Sequence, residues 1–180
     1  MTTEPCYVYS IRSNWHGRVE TPAAIGAKFL KTLDALSGID PVFGDWIISD
    51  FPNPSSGDAI ADFLNIKLVP LGVARTRITE IIENHVVLND AREPSPDEGY
   101  TGIAVGGELN SSREVQMRLE AGGKYGGSID LEFGERLEPP DLTIVTYPLY
   151  KAALSAINAI WRAPWACAHA FRSGTIPYRE

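Results

Sequence analysis

The residues able to do chemistry in this sequence are mostly carboxylates, and they come in two groups. Asp90, Glu93, Asp97 and Glu98 crowd one short stretch, DAREPSPDEG. Glu108, Glu114, Glu120, Asp130 and Glu132 recur further on, in a segment of alternating polarity. Restriction-type nucleases use an acidic residue and an acid-x-Lys element to hold a divalent metal and activate water. Here Asp130-Leu131-Glu132 runs on into Phe133 and Gly134, without the lysine that chemistry needs. His16, His85 and His169 stand apart, with none of the short His or Cys spacings of a zinc site. The glycines from Gly122 to Gly127 lack the order of a phosphate loop and sit between strands rather than before a helix. There is no Gly-x-Ser-x-Gly elbow. Cys167 and His169 alternate on one expected strand, but Ala166, Ala168 and Ala170 around them read as packing. The sequence therefore reads as a non-enzyme, with no catalytic, cofactor-binding or metal-binding grouping.

Composition and charge narrow the function further. The chain has 180 residues, 44% hydrophobic and 22% charged, enough for one domain with a sizeable core. No apolar run approaches the ~20 residues of a membrane span. The N-terminus, MTTEPCYVYS, lacks a basic stretch followed by an apolar one, so no signal peptide is read and the cytoplasm is the expected location. Cys6 and Cys167 read as two reduced, buried cysteines. The formal net charge is -7, and it is uneven: residues 83–141 hold 13 acidic and 5 basic side chains. Such a segment argues against nucleic acid as a direct ligand. It suits a basic protein partner drawn in by complementary charge.

These groups must be positioned by an α+β fold, a mostly antiparallel sheet with helices packed on one face. Residues 6–15 alternate and are β-prone. Thr21-Pro22 reads as an N-cap and first helical position, with Ile25, Phe29, Leu33 and Leu36 as the buried stripe and Gly38 as the stop. Residues 39–43 read as a turn that delivers Phe43 and Trp46 to the core. FPNPSSG, 51–57, is a loop; residues 58–65 suggest a short helix with Ala59, Ile60 and Phe63 inward, and a further helix spans Arg75 to Asn84. Period-two patterns around Ile103, Val105 and Leu109, around Val115, Met117 and Leu119, and around Ile129, Leu131 and Phe133 predict a three-stranded meander. Leu142 to Val145 suggests a short strand, Tyr147 to Arg162 a helix stopped by Pro164, and residues 165–171 a closing strand. Trp46, Trp161 and Trp165 read as core. Trp15 precedes an exposed-looking His-Gly-Arg turn and is the best tryptophan for an interface.

Two stretches carry a resemblance to a known family. One is YVYSIRSNWHGRVETPAAIGAKFLKTLDALSGIDPVFGDW, Tyr7 to Trp46; the other runs from Tyr147 to Trp165, a helix followed by Trp-x-x-x-Trp. The first resembles the N-terminal half of the immunity protein 52 family of bacterial polymorphic toxin systems, in which a strand ends near a Trp and the helix reads like AxFLxTLDALSxIDPxFxxW. The resemblance implies an antidote that binds a cognate protein toxin, often one with a restriction-endonuclease-like domain, and blocks its active site or DNA groove. Residues 51–100 depart from the pattern and are where partner specificity would lie. An acidic antidote can occupy a basic groove as a phosphate mimic. Asp90, Glu93, Asp97 and Glu98, with Glu108, Glu114, Glu120, Asp130 and Glu132 and with Trp15, are accordingly the candidate toxin contacts. The rival readings are an effector-binding secretion adaptor or chaperone, and a small enzyme with a dispersed active site. The toxin's identity, direct occlusion against allosteric inhibition, and oligomeric state stay open at this stage.

Overall fold

Local chemistry starts both long helices. The first, α1 (Pro22–Ser37), opens with Thr21, whose hydroxyl accepts the Ala24 N–H at 3.3 Å, and with a proline that has no N–H to lose. The last, α3 (Tyr147–Trp161), repeats the device: Thr146 accepts the Leu149 N–H at 3.4 Å and Pro148 follows. Helical spacing then buries Ile25, Phe29, Leu33 and Leu36 on α1, and Leu149, Ala153, Ile157 and Trp161 on α3. Each such large side chain removed from water contributes about 1.5–3 kcal/mol. A shorter helix, α2 (Ile78–Asn84), packs against α1 where Gly26 lets Ile78 approach.

The computed structural model describes residues 7–50, 66–91, 93–134 and 140–172. Its strands form one seven-stranded sheet in the order β3-β2-β4-β5-β6-β1-β7, antiparallel throughout. The meander is β4 (Tyr100–Gly107), β5 (Glu114–Ala121) and β6 (Gly126–Phe133). Beside β6 lie β1 (Tyr7–His16) and the edge strand β7 (Trp165–Arg172); beyond β4 lie β2 (Ile47–Asp50) and β3 (Lys67–Pro70). The helices cover one face of this sheet, the α+β arrangement expected from the sequence. No helix among the described residues is long and apolar enough to cross a membrane.

Several expectations change. On β4 the buried positions are Tyr100, Gly102, Ala104 and Gly106, so Ile103 and Val105 point away from the helices. Bulk above the sheet explains the inversion. The Trp46 ring sits where a Cβ on Gly106 would be, at 2.7 Å, so that face of β4 must be small. Leu142 to Val145 is a turn, closed by the Ile144 N–H to the Asp141 carbonyl at 3.1 Å and by Asp141 Oδ1 accepting the Thr143 N–H at 2.9 Å. Strands β2 and β3 were not foreseen, since four residues are too few to show a period. Cys167 is exposed rather than buried, because β7 is an edge strand. Cys6, the 51–57 loop and the 58–65 helix lie outside the described residues.

Trp15 is the largest correction. It is 6% exposed and stacks on Trp161 with ring centroids 4.8 Å apart and planes 12° from parallel. Trp161 Nε1–H donates to Thr32 Oγ1 at 2.9 Å, and that hydroxyl donates to the Lys28 carbonyl at 2.8 Å. Arg18 lies 5.4 Å from the Trp15 ring centre, Lys28 lies 5.3 Å from that of Trp161, and Glu20 pairs with both cations. Gly127, opposite Trp15 in the sheet, supplies the room: a Cβ there would meet the indole nitrogen at 2.3 Å. The residue expected at an interface is instead part of the core.

Two outcomes follow from this packing. Trp15→Ala or Trp161→Ala should cost about 3–5 kcal/mol in urea denaturation, as aromatic truncations in well-packed cores do; a loss under about 1 kcal/mol for Trp15→Ala would show that the ring is not packed. His85, buried at the end of α2, has its pKa lowered to about 4, chiefly by burial and against the pull of Asp50. Its contribution to stability is whole above the unfolded value of 6.5 and disappears as pH falls toward about 4. That window should remove about 3 kcal/mol of stability. Urea midpoints from pH 7 to pH 4 test this: an acid limb unchanged in His85→Asn would assign the loss to carboxylates instead.

Candidate partner-binding face

The face on which no helix of the described residues packs is a mostly polar sheet surface whose side chains are aligned in rows by strand register. One row reads Trp165, Asn14, Ser128, Glu120, Thr101. The next reads Cys167, Arg12, Asp130, Arg118, Ile103, and the third His169, Ser10, Glu132, Gln116, Val105. Glu114 faces the same way from the start of β5. Period-two side-chain direction puts these residues together from five strands.

The charges on this face are partly satisfied within it. Arg12 holds Asp130 through two hydrogen bonds, Nη2 to Oδ2 at 2.8 Å and Nε to Oδ1. That hydrogen bond raises the Arg12 pKa above its ordinary value. Arg118 donates to Gln116 Oε1 from Nε at 3.1 Å and from Nη2 at 2.8 Å. Such exposed pairs contribute only about 0–1 kcal/mol to stability. Their effect here is to fix side-chain directions and mute the charge of Asp130.

Two hollows lie at the end of the face where β1 finishes and β6 begins. A hollow of about 390 Å³ is lined there by Arg12, His16, Glu120, Tyr125, Ser128 and Trp165, among others. A second, of about 440 Å³, lies beside it, lined by Val87, Glu98, Tyr100, Thr101, Glu120 and Tyr125 with their neighbours. Glu120 and Tyr125 line both. Tyr125 is 80% exposed and Trp165 is 55% exposed, which corrects the expectation that Trp165 packs in the core. Large aromatic side chains and arginine are the composition of a protein-binding hot spot.

The nine predicted carboxylates are divided by the fold. Glu98 and Glu120 meet at the second hollow, while Asp130 and Glu132 sit mid-face. Asp97 joins the same end through its carbonyl, which accepts the Lys124 N–H at 2.9 Å. Asp90 and Glu93 are exposed on the loop before it, which is ordered by Asn89: its Oδ1 accepts the N–H groups of Ala91 and Glu93 at 2.9 and 3.0 Å. Glu108 and Glu114 lie at the opposite end of the meander, and Glu114 Oε2 caps its turn by accepting the Asn110 N–H at 2.7 Å. Trp15 borders the first hollow, but its ring is buried and stacked on Trp161 on the helix side of the sheet.

Sequence reasoning missed Trp165, Tyr125, Arg12 and Arg118. The available signal was position: Trp165 follows a helix-stopping proline, and Tyr125 stands among the glycines of a hairpin. Among the described residues no group of His, Cys, Asp and Glu is placed to hold a metal ion. No protein-family model matches the chain, and no curated protein matches it.

The two kinds of tryptophan separate experimentally. Trp165→Ala and Tyr125→Ala should each change unfolding stability by no more than about 0.5 kcal/mol, as exposed positions do. A loss at Trp165 as large as that at Trp15 would place it in the core after all.

Proposed function

We propose that this protein is an antidote of the immunity-protein kind, which binds one basic protein toxin through the open sheet face and keeps it from its substrate. The observation that carries the reading is the end of that face where Glu98 and Glu120 line one hollow and exposed Tyr125 and Trp165 stand beside it. The carboxylates attract a basic partner and raise the association rate; the aromatic rings supply area that is desolvated once contact is made. Mixed charge on the rest of the face restricts which surface fits. The resemblance of Tyr7–Trp46 to the immunity protein 52 family supports a toxin as partner, and within it a restriction-endonuclease-like nuclease. A toxin with a basic DNA groove suits the acidic excess of residues 83–141. Neutralisation would take place in the cytoplasm of the producing cell, without catalysis and without a cofactor.

Co-expression with the gene encoded beside this one tests the proposal. Toxicity that this protein suppresses, with a complex recovered from the cells, is the expected outcome. Binding without protection would make the protein an adaptor, and survival that does not depend on it would remove the antidote reading. Within the complex, Trp165→Ala should weaken binding by about 30-fold, the effect of a hot-spot residue. Glu98→Lys with Glu120→Lys should slow association about tenfold or more at low salt and much less at high salt. An association rate unmoved by the double reversal would take that end of the sheet out of the interface.

A further inference from the structure

We infer that Cys167 is a reactive thiol, a modification site that takes a low-molecular-weight disulfide by thiol–disulfide exchange. The inference does not depend on the partner proposed above. Cys167 and His169 are two residues apart on β7, so both side chains project from the same face of the sheet. Cys167 Sγ lies 3.9 Å from His169 Nδ1, and the other ring nitrogen, Nε2, lies 2.9 Å from Ser10 Oγ on β1. Ser10 is only 2% exposed, so its hydroxyl is a fixed partner for the ring. When Nε2–H donates to Ser10, Nδ1 presents its lone pair to the thiol. That is a nucleophile, a base and a group that orients the base, brought together across a strand pair. Arg12 stands opposite Cys167 in the register, close enough for its guanidinium and the sulfur to interact electrostatically. Although shared with Asp130, that cation draws anionic reagents toward the sulfur. Access is open, since β7 is an edge strand and Cys167 is exposed on it.

The exchange balances without a further reagent. The Cys167 Sγ–H proton passes to His169 Nδ1. The thiolate attacks one sulfur of a disulfide R–S–S–R, an S–S bond forms to Cys167, and the reagent's S–S bond breaks. The electron pair leaves on R–S⁻, which takes the proton back from the imidazolium. Cys167 is oxidised to a mixed disulfide and half of the reagent is reduced to R–SH. His169 acts as base, and Ser10 is a positioning residue.

The test is the rate at which oxidised glutathione and dithiobis-nitrobenzoate modify Cys167 in the full chain at pH 7. Peptide mass mapping separates this thiol from Cys6. Cys167 in the folded protein should react at least about tenfold faster than in the same chain unfolded in urea, where no base is held beside it. His169→Ala should lower the folded rate about tenfold, and His169→Gln, which keeps the bulk at the edge, should do the same. Ser10→Ala should lower it about threefold and change the pH profile of modification while the thermal midpoint holds. A folded rate no faster than the unfolded one, or a rate indifferent to both His169 variants, would overturn the inference.

Discussion

The stack of Trp15 on Trp161 is the contact on which the arrangement of this protein depends. It joins the end of β1 to the end of α3, and through Thr32 it ties both to the middle of α1. Neither ring could be buried cheaply alone, because an indole carries an N–H that needs a partner once water is gone. For Trp161, Thr32 provides that partner and returns its own proton to the helix backbone. Ser13, next but one along β1, donates to Asn158 of α3 at 2.8 Å, so polar bonds repeat the same junction. Helix α3 is thereby held over β1, and the sheet is covered from that side.

Covering one side determines which side chains stay open. With the helices committed to the inner face, the outer rows carry mostly polar side chains. The two tryptophans at the same end of the sheet illustrate the division. Trp15 points inward and is consumed by packing, whereas Trp165, across the strand from Asn14, stays open. A single position along a strand separates a core residue from an exposed one, because successive side chains point to opposite faces.

Much of the fold was legible because its signals are local. Thr-Pro pairs start both long helices, 3.6-residue spacing marks their buried stripes, and alternation in β5 and β6 marks the covered side. Where the signal was not local, the reading failed. Ile103 and Val105 look like the inward positions of β4, yet Trp46 and its neighbours occupy the space above Gly102, Ala104 and Gly106. The apolar run Leu142 to Val145 looks like a strand, but Asp141 and its hydrogen bonds close it into a turn. Of the candidate site, the carboxylates were legible and their grouping was not.

The amino-acid order alone determined the helix starts, the alternation of the meander, the acidic excess of residues 83–141 and the position of every carboxylate along the chain. These depend on backbone conformation and on residues a few positions apart. Only the tertiary structure decided which face of β4 is buried, which tryptophan is exposed and which acids share a hollow. It alone brought Ser10 to His169, 159 residues away. Such outcomes depend on which strand lies beside which and on the bulk that the opposing helix brings, and neither quantity is written in any one segment.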